Sequence, residues 1–345
     1  MDREDRVAAL NEKTHIVSIA PKDFPAGAKE AYTMNHTDSD NEKPPVQHED
    51  VTALLELALA KDKAGSYEDM LTIAQKATDL DSGSALALAC KARALQKLER
   101  LSEATIANDQ ALLLDTNLSL AWVNRSGLQI LQGRFPEGLR SAARAIELDP
   151  QDPRAWANRG MALLNLNNRL DALAAMNQSL ACDPDFLFAL QIKGEILRHY
   201  GRMHELAQTM SHALEIDPAD VTSLSLLTLA YRALEEYEEL PAITQRLTQL
   251  SPANLFAWDS HMRALRALGH FVEADAAIDR FLELAPNDFR IWTIKADNLY
   301  RLERYREAAQ AAEYALRFDT QFPPARRIHE KALRMIYQHK KKRQK

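Results

Sequence analysis

The stretch "IELDPQDPRAWANRG" (residues 146–160) decides the fold of this 345-residue chain, because parts of it return at a fixed spacing. Its proline recurs every 34 residues, at Pro150, Pro184, Pro218, Pro252 and Pro286. A second series in the same register is aromatic or leucine and comprises Trp122, Trp156, Leu190, Leu224, Trp258 and Trp292. A fixed period of this length is typical of repeat proteins, in which each unit packs on its neighbours.

Each repeat unit is predicted to contain two helices. Trp156, Gly160 and Leu163 are spaced i, i+4, i+7 and therefore share one helical face. The next helix is expected to end at an Asp-Pro step, because proline cannot continue a helix and disfavours helix in the residue before it. Small residues recur where the two helices should cross, at Ala104, Gly138, Ala172, Ala274 and Ala308.

The period, the W/L–G/A–L face, the small residue in the second helix and the closing "LDP" resemble tetratricopeptide (TPR) repeats. The resemblance implies an all-α, right-handed α-α superhelical solenoid of helix pairs with a C-terminal capping helix. We place eight repeats, at 51–84, 85–118, 119–152, 153–186, 187–220, 221–254, 255–288 and 289–322. Repeat 221–254 departs from the pattern through Leu240, Pro241 and Leu247, so altered packing is expected there.

The segments that flank the repeats have different compositions. Residues 323–339 are predicted to form the capping helix, since Ile328, Ala332 and Met335 share a face. Residues 1–50 are polar and rich in proline-bounded stretches, and we predict a disordered segment. Residues 340–345 are left as a basic tail.

In TPR proteins the first helices line a concave groove, so the resemblance places certain side chains there. Met161 and Phe188 are the predicted apolar anchors of the earlier repeats. Asn124 and Asn158 share one groove position of successive repeats, where an amide can both donate to and accept from a peptide backbone.

Arginines occupy groove positions of the later repeats, at Arg198, Arg232, Arg263 and Arg266. A series of guanidinium groups would bind carboxylates of an acidic peptide in a bidentate manner. Acidic residues at neighbouring positions leave open the alternative of an internally paired, solvated face, through Glu195, Asp259 and Asp297.

The C-terminus carries the largest charge imbalance, with nine Lys or Arg and one acid from position 326 to 345. Its tail residues are Lys340, Lys341, Lys342, Arg343 and Lys345. Such a run attracts the phosphates of nucleic acid or an anionic membrane, while the alternative is a solubilising tail.

The sequence offers no sign of an enzyme, since it has no glycine-rich phosphate loop, G-x-S-x-G, H-E-x-x-H or C-x-x-C motif. We therefore predict no catalytic residues, no cofactor and no metal. His199, His204 and His212 lack the i, i+4 spacing of helical zinc sites. Two distant cysteines favour a reduced, cytoplasmic protein.

The predicted function is a protein–protein interaction scaffold or adaptor. Its partner would be an extended or helical segment, acidic if the arginines bind it. Two alternatives remain open: an adaptor that reaches nucleic acid or an anionic membrane through its tail, and a non-catalytic targeting subunit of an enzyme complex. The oligomeric state is not predicted.

Overall fold

The computed structural model describes residues 46–343 of the protein, with side chains from 51 to 342. The predicted disorder of residues 1–50 falls largely outside these residues, but a helix already begins at Val46. The described residues form seventeen helices and no strand: α1 (Val46–Lys63), α2 (Tyr67–Leu80), α3 (Ala85–Lys97), α4 (Leu101–Leu114), α5 (Ser119–Leu131), α6 (Phe135–Leu148), α7 (Pro153–Asn165), α8 (Arg169–Cys182), α9 (Leu187–His199), α10 (Met203–Ile216), α11 (Val221–Leu234), α12 (Leu240–Leu250), α13 (Leu255–Ala267), α14 (Phe271–Leu284), α15 (Phe289–Arg301), α16 (Tyr305–Phe318) and α17 (Pro323–Arg343).

The chain divides into two compact units at Tyr200. The first unit contains α1 to α9 and the second contains α10 to α17. Inside the first unit, consecutive helices pack on each other, and the first helices of neighbouring pairs also touch, α1 on α3 and α3 on α5. Inside the second unit, α11 touches α13 in the same way. The predicted all-α solenoid of helix pairs is confirmed.

The recurring tryptophan and proline are joined by a hydrogen bond. The indole Nε1 of Trp156 donates to the carbonyl oxygen of Pro150 at 2.9 Å. Trp258 donates to Pro252 at 2.8 Å in the same geometry. The indole therefore ties the start of a first helix to the turn that precedes it, which explains why the two residue types share one register.

The aspartate before the proline also acts locally. Asp149 Oδ1 accepts a hydrogen bond from the backbone N–H of Gln151 at 3.0 Å, while its own N–H bonds the carbonyl of Ala145. A short acidic side chain that bonds two residues ahead favours a turn over continued helix. The Asp-Pro step thus ends α6 for two independent reasons.

The backbones of the two helices in a pair approach each other closely, which explains the small residues that recur in the repeats. A Cβ atom on Gly160 would lie 2.5 Å from Met176 Cε and 3.2 Å from the carbonyl oxygen of Ala172. The methionine end can move, but the backbone of α8 cannot move as easily. Position 160 therefore tolerates little more than a hydrogen atom.

The turn inside each pair contains a residue with positive φ. Four of these are glycines with φ from 68 to 80°, at Gly65, Gly133, Gly201 and Gly269. The equivalent positions of the other pairs hold non-glycine residues with φ from 59 to 62°, at Glu99, Asn167, Glu235 and Glu303. A left-handed conformation costs a non-glycine residue roughly 1–2 kcal/mol, so these turns carry strain that packing must offset.

The pair that departs in sequence also departs in structure. Helix α12 has 11 residues where other second helices have 14, and residues 235–239 form an irregular connection before it. Leu240 and Leu247 are fully buried and occupy positions that small residues hold in most other repeats.

Helix α17 covers the end of the second unit. Ala332 is fully buried, and Ile328 packs with it against the core of α15 and α16. The helix runs to Arg343, beyond the predicted end at residue 339, because lysine is a good helix former and no breaker intervenes. Lys340, Lys341 and Lys342 are therefore helical and do not belong to a separate tail.

No described helix combines the length and the apolarity that crossing a bilayer requires.

Candidate protein-binding surface

The two groove asparagines lie in the interior of the first unit. Asn124 is 1% exposed and donates through Nδ2 to the carbonyl of Ala89 at 2.9 Å. Asn158 is also buried and donates to the carbonyl of Val123 at 3.0 Å. Each side chain bonds the first helix of the preceding pair, so the amides join neighbouring repeats and are not available to a peptide.

The predicted apolar anchors also belong to the core. Phe188 is 2% exposed, and its ring centroid lies 6.1 Å from that of Phe186. Met161 is half-buried and packs against the same cluster. The expectation of an open apolar groove in this unit is therefore wrong for Phe188, whose side chain is buried in a cluster with Phe186.

A buried ionic network lies in the first unit, at positions that the sequence did not single out. Asp62 accepts from Arg93 Nε at 3.1 Å and lies 3.6 Å from Arg154 Nη1. Arg154 also pairs with Asp152 at 2.7 Å. The Arg93 side chain is 4% exposed. The network joins the end of α1 to the start of α7, so side chains from distant repeats meet within this unit.

Burial alters the chemistry around this network. Burial alone would raise the pKa of Asp152, but the charge and hydrogen bonds of Arg154 outweigh it and lower that pKa. The pKa of the Cys90 thiol is raised to about 12, first by burial and then by the charge of Asp62. The sequence signal for this network was the presence of charged residues at groove positions. Only the burial of these residues in the structure distinguishes a closed network from an open surface.

Arg198 also belongs to the first unit and is paired there. Its Nε donates to Glu195 within α9 at 2.9 Å. This is the internal pairing that the sequence left open as the alternative.

In the second unit, the guanidinium of Arg232 contacts two polar side chains and an aromatic ring. Its Nη1 donates to Ser260 Oγ at 2.8 Å, and its Nη2 lies 3.2 Å from Asp259 Oδ2. Its guanidinium lies over the ring of Phe256, 5.4 Å from the centroid. Arg232 therefore joins α11 to α13.

The other arginines of this unit share two carboxylates. Asp259 also accepts from Arg263 Nε at 2.7 Å. Asp297 accepts from Arg301 Nε at 3.1 Å and from Arg266 Nη2. These pairs again follow the alternative of internal pairing, yet two carboxylates serve four guanidiniums.

A cavity of about 310 Å³ opens among these arginines. We call it the arginine pocket, and its lining residues are Tyr237, Arg263, Arg266, Ala267, Phe271 and Arg301. The pKa of Arg266 is lowered first by burial and also by the positive charges of Arg301 and Arg263, against the opposing effect of Asp297. The arginine pocket is thus a recess with an excess of positive charge.

The hydrogen bonds of the pocket are incomplete within the described part of the chain. Arg263 and Arg301 each use only Nε in the bonds to their aspartates. Arg266 Nε is buried and has no hydrogen-bond partner among the described residues. Arginines that line a cavity with their terminal nitrogens unbonded among the described residues indicate room for an anion.

The outer side of α17 is a second charged surface. Tyr337 is 69% exposed, Leu333 is also exposed, and the lysines at 340, 341 and 342 are exposed on the same helix. The backbone of Arg343 ends this helix, and Lys345 lies outside the described residues.

The residues that the structure describes contain no group of three or more His, Cys, Asp or Glu side chains placed to hold a metal ion.

Comparisons with known proteins agree with this architecture. Residues 162–344, slightly more than half of the chain, match the family described as Psidin, N-terminal TPR repeats region. Residues 131–185 match the family described as Tetratricopeptide repeat. The chain therefore belongs to the tetratricopeptide repeat proteins. No curated protein matches it.

Several solved structures are similar to this chain at low sequence identity, and one of them has a TM-score above 0.5. PilF of Pseudomonas aeruginosa is 20% identical with a TM-score of 0.53, over 62% of this chain and 97% of PilF. TTC0263, a thermophilic TPR protein of Thermus thermophilus, is 21% identical with a TM-score of 0.46, over 54% of this chain and 99% of its own. The Cut9–Hcn1 hetero-tetramer of the APC/C is 15% identical with a TM-score of 0.48, over 81% of this chain and 55% of the other.

Proposed function

We propose that this protein is an interaction scaffold that binds an acidic segment of a partner protein at the arginine pocket. Membership of the TPR proteins supports an interaction scaffold in general. The observation that supports this site is a recess lined by three arginines and no acid, within a network in which two carboxylates serve four guanidiniums.

The geometry suits carboxylate ligands. Asp259 and Asp297 hold Arg263 and Arg301 through Nε, which orients each guanidinium and leaves its terminal nitrogens for a ligand. Two parallel N–H···O bonds from a guanidinium to a carboxylate are stronger and more specific than a single bond. Side chains already held in place lose less entropy on binding.

The first unit offers no equivalent site among its predicted groove residues. Asn124, Asn158 and Phe188 are buried, and the Asp62 network pairs its arginines. The proposed site therefore consists of the lining residues of α13, α14 and α15 and of Tyr237 in the loop 235–239.

A peptide-display selection on the full chain tests the proposal. The wild type is compared with Arg263→Ala/Arg301→Ala and with the control Arg280→Ala/Arg317→Ala, which removes the same charge from exposed side chains of α14 and α16. We expect peptides enriched in Asp and Glu from the wild type and from the control, and no such enrichment from the pocket variant. Equal enrichment on the pocket variant, or none on the wild type, contradicts the site.

The outer face of α17 supports a second candidate function, the binding of nucleic acid. Exposed lysines and arginines extend along the helix, and Tyr337 adds an exposed aromatic ring. Only Leu333 and Tyr337 contribute large apolar surface on this side, which is too little to insert into a bilayer and favours phosphate contacts over a membrane.

A salt titration tests this second candidate. Binding of a labelled DNA duplex is measured by fluorescence anisotropy between about 50 and 200 mM salt, for the wild type and for Lys340→Ala/Lys341→Ala/Lys342→Ala. We expect the slope of log K against log salt to fall by about 3 in the variant. An unchanged slope, or no binding by the wild type, rejects the candidate.

A further inference from the structure

We infer that the arginine pocket is completed by a phosphate dianion, carried by a phosphorylated serine or threonine of the partner segment. This inference rests on the proposed function and names the group that the pocket prefers. Three separate features of the pocket support it: its charge, its unused donors and its size.

The charge balance favours a dianion over a single carboxylate. The residues that line the pocket include three arginines and no acid. Among the described residues these arginines contact Asp259 and Asp297, and Asp259 also pairs with Arg232, so three lining guanidiniums share fewer than two carboxylates. A phosphomonoester carries a charge of about −1.5 to −2 at neutral pH. One glutamate side chain would leave a positive charge facing the cavity, while one phosphate would leave little.

The unused donors match the acceptor oxygens of a phosphate. The terminal nitrogens of Arg263 and Arg301 form no hydrogen bond with the described residues, and Arg266 Nε is buried without a partner. Two guanidiniums with such donors thus line one recess, from α13 and α15, while the buried Nε of Arg266 has no accessible surface toward it. A phosphate monoester presents three terminal oxygens, one more than a carboxylate, and accepts from several guanidiniums at once.

The size and the walls of the pocket suit one side chain. Pockets for drug-sized ligands begin at roughly 300 Å³, and the volume of about 310 Å³ lies at that lower limit. The Phe271 ring lies under Arg301, 5.3 Å from its guanidinium carbon, and fixes its plane. Ala267 and the Tyr237 ring complete a partly apolar wall, against which the methylene of a phosphoserine can pack.

The number of pocket arginines also separates this site from ordinary surface pairs. On the exposed helix faces one arginine meets one acid, as in Arg280 with Glu283 and Arg100 with Glu103. Such pairs are neutral and offer an anion little. The arginine pocket differs because its guanidiniums outnumber its carboxylates and face a common volume.

The test uses three degenerate peptide pools that differ only in a fixed central residue, which is phosphoserine, glutamate or serine. Affinity for the full chain is measured by fluorescence anisotropy. We expect the phosphoserine pool to bind the wild type about tenfold more tightly than the glutamate pool, and the glutamate pool more tightly than the serine pool.

Two variants separate geometry from charge. Arg263→Lys/Arg301→Lys keeps both charges but removes the planar fork, so it should lose the preference for phosphoserine over glutamate. The control Arg280→Lys/Arg317→Lys should keep it. Both residues of the pocket variant are about half exposed, so the fold should tolerate the change, and circular dichroism verifies this.

The outcomes distinguish this inference from the proposed function. Equal affinity for the phosphoserine and glutamate pools, both above serine, overturns the phosphate inference and leaves the acidic segment standing. Equal affinity for all three pools overturns both. A phosphoserine preference that survives in the lysine variant also overturns the inference, because the preference would then arise outside the pocket.

Discussion

The two units place arginines at groove positions of their first helices and use them in opposite ways. In the first unit, Arg93 and Arg154 pair with Asp62 and Asp152, and the Arg93 side chain is 4% exposed. In the second unit, four arginines share two carboxylates, and the side chains of Arg263 and Arg301 are 46% and 54% exposed. Among the described residues, the first network gives each arginine a carboxylate in a largely buried setting, while the second places half-exposed arginines around a recess.

This contrast has a physical basis. A charge can be buried only if it is paired and hydrogen-bonded, so an interior network must be balanced. An unbalanced cluster needs solvent or a ligand to screen its repulsion. The balance of charge, rather than the presence of arginine, therefore distinguishes structural groove residues from candidate binding residues in this protein.

The largest expected effect comes from removing one carboxylate of the Asp62 network in the first unit. Asp62→Asn should lower the free energy of unfolding by about 3 kcal/mol, because it leaves the buried guanidinium of Arg93 without its carboxylate. The measurement is urea unfolding followed by circular dichroism. Asp69→Asn, at an exposed pair with Lys61, is the control and should cost less than about 1 kcal/mol. Equal losses in the two variants would mean that the Asp62 network is not a closed interior.

Thiol labelling tests whether the interior of the first unit around the Asp62 network is closed to solvent, without changing the fold. Cys90 is fully buried with a pKa of about 12, whereas Cys182 is partly exposed. At mildly alkaline pH the thiolate population and access both favour Cys182, which should react with a thiol reagent at least about 100 times faster. Asp62→Asn should raise the labelling rate of Cys90, since the substitution removes a charge that raises the pKa of this thiol and lets the first unit open more often. Comparable rates in the wild type would contradict a sealed network.

The asparagine bonds give a smaller expected effect on the same unit. Asn158→Ala should destabilise the protein by about 1–2 kcal/mol, because the Val123 carbonyl loses its buried donor. Asn165→Ala is the matched control, since Asn165 is exposed and bonds only within its own helix. Peptide affinity at the arginine pocket should be unchanged in both variants. A loss of affinity without a loss of stability would restore Asn158 as a ligand contact.

The helix pairs and their period could be predicted from the sequence, because they depend on short-range contacts that recur every 34 residues. The bond between Trp156 and Pro150 spans six residues, and the capping by Asp149 spans two. Such contacts form wherever the same residues recur at the same spacing. The positive-φ turns have a sequence signal only where glycine occupies them, since Glu99 and Glu303 adopt the same conformation without one.

The state of the groove could not be predicted in the same way. Whether Phe188 or Asn124 is exposed depends on how closely neighbouring helices approach, which the whole set of packing contacts determines. The contact between Asp62 and Arg154 joins residues from different repeats, and no spacing rule reports it. The arginines of the second unit were predicted as groove residues from the sequence. The recess that three of them line is seen only in the structure, and it is what makes their excess over the carboxylates relevant to binding.

The smallest expected effect increases the imbalance of the second unit instead of removing it. Asp297→Asn removes one of the two carboxylates, so Arg266 and Arg301 lose a shared partner and the positive excess of the pocket grows. The affinity for the phosphoserine pool should rise by a few fold, which corresponds to less than about 1 kcal/mol. Glu283→Gln makes the same charge change at an exposed pair on α14 and should leave the affinity unaltered. If Asp297→Asn instead weakens binding, its main role is to orient Arg301, and the excess of charge is not what attracts the ligand.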